Sequence, residues 1–257
     1  MHIALTRPPT DALAQCALTF RTREPIDLQL ALLQHRAYEA TLEALGCTLI
    51  RLPPAPHLPD AVFVEDTAVV LEGIAVIARP GIASRRAETT DVAGALAPYR
   101  PLHAIEAPGT LEGGDVIVWD HTVMVGRSTR TNDDGIAQLE RFVASAGYRL
   151  RTVDVAGCLH LRTAACLVAE HTVLVNPDWV DTRAFHELEI INVDPAEPWA
   201  ANALRIGGTV VHAAGRERTR QILERRGIAV RPVPNTELEK AEAGVTCCSL
   251  VFETDRR

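Results

Sequence analysis

The sequence predicts an α/β protein, a closed, pseudo-symmetric propeller of five blades in which each blade is a strand–strand–helix–strand unit. A pair of short apolar strands joined by a two-residue polar or glycine turn recurs four times, and such loops are typical of β-hairpins. Amphipathic helical stretches lie between the hairpins. The N-terminal HIALT and the C-terminal CCSLVF each look like half of a fifth hairpin. Their pairing would close the ring and remove its exposed edges.

The predicted elements follow one order along the chain. A long helix over residues 26–45 precedes the first hairpin and leads to the strand CTLIRL. The hairpin turns are predicted at residues 72–73, 120–121, 170–171 and 207–208. Further helices are predicted over residues 84–96, 133–146 and 216–226, and the last two lead to the strands YRLRTV and IAVRPV. Repeats of about 40–50 residues point to a propeller, solenoid or array, and a conventional α/β sandwich is the alternative.

The bulk composition limits the classes of protein that need to be considered. The 257 residues suffice for one large or two small domains, and we expect a single catalytic domain over residues 1–257. Hydrophobic residues make up 47% and charged residues 23%, as in ordinary globular proteins. A net charge of −7 argues against a nucleic-acid-binding surface, which needs a basic stripe.

Targeting signals and cysteine spacing give further expectations. The sequence has no recognisable secretory signal and no run approaching the ~20 apolar residues of a membrane span. We therefore expect no membrane partner and a cytoplasmic location. The six cysteines show no CxxC pair and no zinc-finger spacing, so we expect reduced thiols. The oligomeric state stays open, a homodimer included.

Chemically versatile side chains occur just before the first strand of each hairpin. They are Asp60, Glu65 and Asp66; Glu112 and Asp115; His160; Asn202; and, at the half-hairpin, Cys247. Each residue type alone is common in turns and cores. Equivalent positions of a ring of repeats converge on its axis, so four of these groups should meet. The four are Asp66, Glu112, His160 and Cys247.

A thiol, an imidazole and carboxylates in one place predict covalent catalysis. The thiolate would attack, the histidine would move protons, and Glu112 would orient the histidine. A second carboxylate, Asp66, favours a cationic substrate, because planar guanidinium matches a carboxylate with two parallel hydrogen bonds. Four suitable groups at one phase of the repeat therefore predict an active site.

Several motifs resemble those of the dimethylarginine dimethylaminohydrolase family, which belongs to the guanidino-group-modifying enzymes of five-fold α/β propeller (pentein) fold. The matching stretches are LQHRAY (33–38), PDAVFVED (59–66), RPGIASRRAE (79–88), APGTLEGGD (107–115), RTN (130–132), LHLRT (159–163), AAN (200–202) and GVTCCSLVF (244–252). The resemblance runs nearly from end to end. It implies hydrolysis of Nω-methylated L-arginine to L-citrulline and an alkylamine, without a metal or an organic cofactor.

The resemblance also assigns roles to individual residues. It implies that Cys247 is the nucleophile, His160 the general acid/base and Glu112 the carboxylate that positions it. The expected substrate contacts are Asp66 and Glu65 for the guanidinium, Arg85 and Arg130 for the α-carboxylate, and Asp60 with backbone oxygens around Leu18 and Ala241 for the α-amino group. Leu18 lies in QCALTFRT, which resembles the family's mobile lid.

This sequence departs from the family pattern at three places. Thr246 stands where serine is common, Cys248 replaces a frequent methionine, and Ala241 is smaller than usual. Because neighbouring side chains of a strand point to opposite faces, Cys248 is expected to face away from the axis if Cys247 faces it. The smaller Ala241 should open the substrate pocket slightly.

Three other functions remain to be tested against this interpretation. One is a different guanidino hydrolase, such as an arginine deiminase that acts on arginine or another guanidino acid. Another is a non-catalytic propeller that serves as a binding module. The third is zinc capture by Cys247 and His160, for which a full ligand set is missing from the motifs.

Overall fold

Fifteen β-strands form five three-stranded sheets in the computed structural model, which describes residues 1–254. The strands are β1 (His2–Thr6), β2 (Cys47–Arg51), β3 (Ala68–Val70), β4 (Ala75–Ile77), β5 (Leu102–Ala104), β6 (Val116–Trp119), β7 (Thr122–Arg127), β8 (Arg149–Asp154), β9 (Ala165–Ala169), β10 (Thr172–Val175), β11 (Glu189–Asn192), β12 (Ala203–Ile206), β13 (Thr209–Ala213), β14 (Ala229–Val233) and β15 (Ser249–Glu253). The α-helices are α1 (Leu28–Ala44), α2 (Thr89–Leu96), α3 (Asp133–Ser145), α4 (Leu161–Ala164), α5 (Glu217–Arg225) and α6 (Thr236–Glu239). Short 3₁₀ helices cover Asp11–Gln15, Val64–Thr67, Ala83–Glu88, Gly113–Asp115, Thr182–Phe185 and Pro198–Ala201.

All five sheets have the same topology. Each contains an antiparallel pair of strands, a hairpin in four of the five, and the central strand also pairs in parallel with a third strand. The strand orders are β15-β1-β2, β3-β4-β5, β6-β7-β8, β11-β10-β9 and β12-β13-β14. The predicted five-bladed α/β fold is confirmed, and the sandwich alternative is excluded.

The first and last strands together complete the fifth blade. β1 pairs antiparallel with β15, from His2 opposite Glu253 to Thr6 opposite Ser249. On its other side β1 pairs in parallel with β2. The two ends of the chain therefore contribute to one sheet, as the two half-hairpins of the sequence predicted.

The helices pack their apolar stripes against the sheets. In α3 the buried residues Ile136, Leu139 and Val143 recur at helical spacing and share a core with the strands of the second blade. Asn132 caps this helix by accepting a hydrogen bond from Gly135 N at 2.9 Å. Among the described residues, no helix combines the length and the apolar character that a bilayer crossing needs.

One local prediction differs from the structure, and one blade departs from the common pattern. The helix predicted over residues 84–96 is split into a 3₁₀ turn, Ala83–Glu88, followed by α2. The third blade, for which no helix was predicted, has the 3₁₀ helix Thr182–Phe185 in that place and then β11. The missing helical periodicity between β10 and β11 therefore reflects a real irregularity of that blade.

Candidate active site

A short helical turn lies at the same place in four of the five blades, directly before the first strand of the hairpin. These turns are Val64–Thr67, Gly113–Asp115, α4 and Pro198–Ala201. In the fifth blade a tight turn over residues 245–248 takes this place before β15. The four residues that were predicted to meet at the axis, Asp66, Glu112, His160 and Cys247, are called here the hub residues. They lie in these turns or beside them, and hydrogen bonds join several of them across blades.

His160 lies between two carboxylates from different blades. Its Nε2 is 2.7 Å from Glu112 Oε2, and its Nδ1 is 3.8 Å from Asp66 Oδ1. Burial alone would lower the pKa of His160, but the negative charge of Asp66 and the hydrogen bond with Glu112 raise it to about 9. The imidazole is therefore protonated at neutral pH and can donate a proton.

Glu112 is fully buried and stays ionised. Burial acts to raise its pKa, but the hydrogen bond with His160 and the charge of Arg85 lower it to about 2. Its second oxygen, Oε1, accepts a hydrogen bond from Gly81 N at 3.1 Å and lies 3.4 Å from Arg130 Nη1. These contacts hold the carboxylate that orients the imidazole.

Gly114 explains why the EGGD motif is more than a tight turn. Its N–H donates to Asp66 Oδ1 at 3.1 Å. A Cβ at this position would lie 2.6 Å from Asp66 Oδ1 and 2.8 Å from His160 Nδ1. Only glycine lets the backbone approach both side chains so closely.

Arg85 is buried in a cage of protein acceptors. Its Nη1 donates to Asp66 Oδ2 at 2.8 Å and lies 3.5 Å from Glu112, and its Nη2 reaches Phe63 O at 3.3 Å. Both Nε and Nη2 donate to Glu88. The 3₁₀ helix Ala83–Glu88 brings Arg85 and Glu88 together, because side chains three residues apart lie above one another in a 3₁₀ helix. A substrate carboxylate would have to share or replace one of these contacts.

Glu88 was not among the predicted site residues. Burial raises its pKa to about 7, against the opposing influence of Arg85. Since it lies two residues beyond the SRR stretch on what reads as a helix, the sequence alone gave no reason to place it beside the hub.

The remaining predicted substrate contacts lie near one another. Arg130 donates to Thr19 Oγ1 at 3.2 Å through Nη2. Asp60 is buried and accepts from Ala17 N at 3.0 Å, and burial raises its pKa. The partly buried side chains of Leu18 and Cys247 pack against an apolar cluster that contains Ala241.

The two adjacent cysteines do not lie in a strand, so the expectation of strand alternation is wrong. They belong to the turn over residues 245–248, in which Ser249 N donates to Thr246 O at 3.3 Å, and β15 begins only at Ser249. The turn nevertheless separates the thiols, because Cys248 is buried whereas Cys247 is partly exposed. The tight turn is favoured over an earlier strand start because Thr246 is bound by partners from other blades.

The Cys247 thiol is neutral in the resting site. Burial and the charges of Glu65 and Asp66 raise its pKa well above the ordinary value. Glu65 also donates its backbone N–H to Cys247 O at 3.3 Å, which ties the first blade to the turn that carries the thiol.

Three further residues support Glu65 and the turn over residues 245–248, called here the thiol turn. They lie in the recognised motifs, but the sequence alone assigned them no role. Thr246 Oγ1 donates to Glu65 Oε2 at 2.7 Å, and Arg162 Nη1 lies 3.1 Å from Glu65 Oε1. Asn202 donates to Thr246 Oγ1 at 2.9 Å and accepts from Thr246 N at 3.0 Å. The sequence already placed Asn202 at the common phase of the repeat, and the structure adds its role as a partner of Thr246.

Asp115 fixes the turn that follows His160. It accepts hydrogen bonds from Leu161 N at 3.0 Å, Ser128 Oγ at 2.6 Å and Thr131 Oγ1 at 2.7 Å. Burial raises its pKa to about 6. This carboxylate therefore holds the backbone next to the imidazole rather than facing a ligand.

One group of potential metal ligands lies in this site. Within residues 1–254, Asp66, Glu112 and His160 offer ligand atoms within 4.8 Å of one another. The Arg85 guanidinium lies on Asp66 and beside Glu112, so the carboxylates of this group already face organic cations. Cys247 is not part of the group, unlike in the zinc alternative.

Five α/β units around a hub of thiol, imidazole and carboxylate groups define a pentein. A model described as "N,N dimethylarginine dimethylhydrolase, eukaryotic" matches residues 6–194. The chain is 38% identical to N(G),N(G)-dimethylarginine dimethylaminohydrolase of Streptomyces coelicolor, with 96% of this chain and 95% of the relative covered. It is 33% identical to the enzyme of that name from Pseudomonas aeruginosa, with 98% and 99% covered.

A solved structure gives the same result. A Pseudomonas aeruginosa dimethylarginine dimethylaminohydrolase, determined as a cysteine-to-serine mutant complexed with citrulline, is similar with a TM-score of 0.93 and 33% identity. The match covers 97% of this chain and 98% of that chain. The protein belongs to the dimethylarginine dimethylaminohydrolase family.

Proposed function

We propose that this protein hydrolyses Nω-methylated L-arginine to L-citrulline and an alkylamine by cysteine catalysis. The observation that carries the proposal is the imidazole of His160, hydrogen-bonded to Glu112 and facing Asp66, in a hub that also holds Cys247. This combination provides a nucleophile, an acid/base and anionic groups for a cation. The names of the curated relatives and the citrulline complex of one relative support the same reaction.

Substrate binding is assigned to charged groups of matching sign. Asp66, with Glu65 nearby, anchors the guanidinium, and the close approach of Arg85 to Asp66 is an internal example of such a pair. The α-carboxylate is assigned to Arg130 and Arg85. The α-amino group is assigned to Asp60 and to the backbone oxygens of residues 18 and 241.

The cationic substrate also activates the thiol. Negative charges and burial keep Cys247 protonated in the empty site. A guanidinium bound against Asp66 neutralises one of these charges and places a positive charge beside the sulfur, which lowers the pKa of the thiol. Cys247 then loses its proton to solvent, so the reactive thiolate forms only when substrate is present.

The first chemical step forms an S–C bond and breaks a C–N bond. The Cys247 thiolate adds to the guanidinium carbon and gives a neutral tetrahedral adduct. Protonated His160 donates its proton to the substituted nitrogen, and the neutral alkylamine leaves. The enzyme retains a cationic S-linked thiouronium, and the released amine later takes up the proton that Cys247 gave to solvent.

Water resolves the intermediate in the second step. His160, now neutral, accepts a proton from the attacking water, and Glu112 stabilises the imidazolium that forms again. The C–S bond then breaks, citrulline is released, and the thiolate accepts the proton from the new hydroxyl group. Cys247 supplies the nucleophile, and His160, the thiol and solvent carry the protons, so the proposed cycle requires no metal or organic cofactor.

The test is an assay of citrulline from purified protein with asymmetric dimethylarginine, monomethylarginine and arginine. We expect citrulline and an equal amount of alkylamine from the methylated substrates, and none from Cys247→Ser or His160→Ala. Citrulline from arginine alone would favour the arginine-deiminase alternative. Binding of methylarginines without any citrulline would favour the non-catalytic binding module.

A further inference from the structure

A segment without regular structure crosses the site between the 3₁₀ helix Asp11–Gln15 and α1. Ala17 N donates to Asp60, and Thr19 Oγ1 accepts from Arg130 Nη2 at 3.2 Å. Leu18 packs against the same apolar cluster as Cys247. Residues 17–21, called here the cover segment, therefore contact the groups assigned to both charged ends of the amino acid.

One carboxylate holds most of this segment. Glu242 accepts hydrogen bonds from three consecutive backbone N–H groups: Thr19 at 2.9 Å, Phe20 at 2.5 Å and Arg21 at 2.5 Å. Consecutive N–H groups that point at one anion form a nest, and hydrogen bonds to a charged acceptor are stronger than neutral ones. A single side chain thus orders three residues of the cover segment.

The backbone of Glu242 is in a conformation that its residue type disfavours. Its φ is +62°, in the left-handed region that suits glycine. Glu242 follows Ala241 directly and precedes Cys247 by a few residues, so it belongs to the segment that leads into the thiol turn. The bonds to the cover segment offset the unfavourable backbone conformation.

A second contact of the cover segment involves Arg21. The Arg21 guanidinium lies 4.8 Å from the centre of the Trp199 ring, and Trp199 packs on Trp179 with ring centres 4.7 Å apart. This contact places a tryptophan against the segment that Glu242 holds. Its fluorescence can therefore report whether the segment is in place.

We propose that Glu242 is a positioning residue that holds the cover segment closed and, through Thr19, sets the orientation of Arg130. Substrate enters only when the three N–H bonds to Glu242 release, and their return closes the cover segment over the bound amino acid before the thiol reacts. The effect on catalysis rests on the proposed function. The closure itself does not, because it can be measured on the protein without substrate.

The experiment compares Glu242→Gln and Glu242→Gly with the wild type and with Glu239→Gln. Glutamine keeps the size of the side chain but removes its charge, and glycine suits the positive φ, so the second variant should fold even without the nest contacts. Glu239 is the matched control, because its carboxylate lies on the same stretch of chain but pairs with Arg216 rather than with the cover segment.

The principal readout is the alkylation rate of Cys247 by iodoacetamide, followed by peptide mass spectrometry over a pH series. We expect an increase of tenfold or more in Glu242→Gly and a smaller increase in Glu242→Gln, with no change in Glu239→Gln. Tryptophan emission should change in the same two variants. Equal alkylation rates in all four proteins would overturn the proposal. So would a rate increase that disappears at a pH where the thiol is fully ionised in every protein, since such an increase reflects a change in the pKa of the thiol and not in its accessibility.

Kinetics then test the positioning of Arg130. With methylarginine, KM should rise more than kcat falls in both Glu242 variants, because the disturbed contact is one to the substrate's carboxylate. Unchanged KM together with faster alkylation would overturn the link through Thr19. A wild type without turnover but with the expected alkylation contrast would refute the proposed function and leave the closure by Glu242 standing.

Discussion

The imidazole of His160 bridges carboxylates of two different blades, with Nε2 2.7 Å from Glu112 Oε2 and Nδ1 3.8 Å from Asp66 Oδ1. The two charges act on the imidazole in the same direction and against burial, so its protonated form is favoured in the folded protein. This relationship is measurable, because it sets the pH range in which the protein holds an additional proton.

The first prediction concerns the titration of His160. Its imidazole should titrate near pH 9 in the wild type, and its pKa should be lower in both Glu112→Gln and Asp66→Asn, each of which removes one negative charge. NMR of the ring protons measures this midpoint. Glu43→Gln, a change at the protein surface, is the control and should leave the midpoint unchanged.

The same shift predicts a pH dependence of stability. The folded-state pKa of His160 lies above its ordinary value of 6.5, so its contribution is fully present below pH 6.5 and is lost as the pH rises through about 9. The difference in unfolding free energy between the wild type and Asp66→Asn should therefore shrink over this range. A difference that grows with pH would contradict the charged imidazole.

The second prediction separates the adjacent thiols. Cys247→Ser should abolish turnover without loss of the fold, because a serine hydroxyl cannot be ionised here as a thiol can. Cys248→Ser should retain substantial activity, since the Cys248 side chain is buried whereas Cys247 is partly exposed. Citrulline assays and circular dichroism measure both properties. An active Cys247→Ser beside an inactive but folded Cys248→Ser would reverse the assignment.

The third prediction distinguishes the two arginines. Arg130→Ala should raise KM for methylarginine about ten- to a hundredfold with a smaller effect on kcat, because a charge-assisted hydrogen bond is worth about 1.5–3 kcal/mol and is made equally in ground and transition states. An unchanged KM would remove Arg130 from substrate binding.

Arg85→Ala should in addition destabilise the protein. It would leave Asp66 and Glu88 without their buried partner, and breaking a buried ion pair costs about 3–5 kcal/mol. Urea denaturation compares the two variants. Because Arg130 is itself buried and lies 3.4 Å from Glu112, each variant is also compared with the wild type. A stability of Arg85→Ala equal to that of the wild type would show that the cage around Arg85 adds little.

The fourth prediction concerns Gly114. In Gly114→Ala the new methyl group would collide with Asp66 Oδ1 and His160 Nδ1, so both side chains must move. Misplacement of catalytic groups by about 1 Å can lower rates about a hundredfold, and we expect a loss of kcat/KM of this order. Gly73→Ala is the control, because a Cβ at Gly73 meets open space. Similar kinetics in the two variants would contradict the close approach.

The fifth prediction concerns substrate choice. A pocket for methylated nitrogen would leave the N–H donors of plain arginine unpaired, at a cost of about 1–3 kcal/mol. We expect kcat/KM to be tenfold or more higher for methylated arginine, using about 1.4 kcal/mol per factor of ten. Citrulline formation from mixed, isotopically labelled substrates measures the ratio. Preferential consumption of arginine would replace the dimethylarginine assignment while leaving the thiol mechanism in place.

The repeat made the fold readable from the sequence. Short polar turns such as Asp120–His121 and Gly207–Gly208 were predicted correctly, because two-residue loops between apolar runs have few alternatives. The conformation of Cys247 and Cys248 was predicted wrongly. An apolar run predicts a strand, but the bonds between Thr246 and Asn202 hold the chain in a turn until Ser249.

The site was only partly readable for a similar reason. His160 and Glu112 stand out because their phase in the repeat brings them to the axis. The partners that hold them have no local signature: Glu88 looks like a surface residue of a helix, and Glu242 acts on residues more than two hundred positions earlier in the chain. Such contacts depend on tertiary packing, which periodicity does not encode.

Because β1 pairs with β15, the fifth blade is completed late in protein synthesis, and activity can appear only then. The ribosome synthesises β1 more than two hundred residues before the turn with Cys247 and the strand that follows it. Until then β1 has β2 as its only sheet partner, and the hub has carboxylates and imidazole but no nucleophile. A growing chain therefore lacks the nucleophile until Cys247 has been added. A premature stop codon ahead of Cys247 yields a product without the reactive sulfur, in which the edge of β1 that normally pairs with β15 is unpaired.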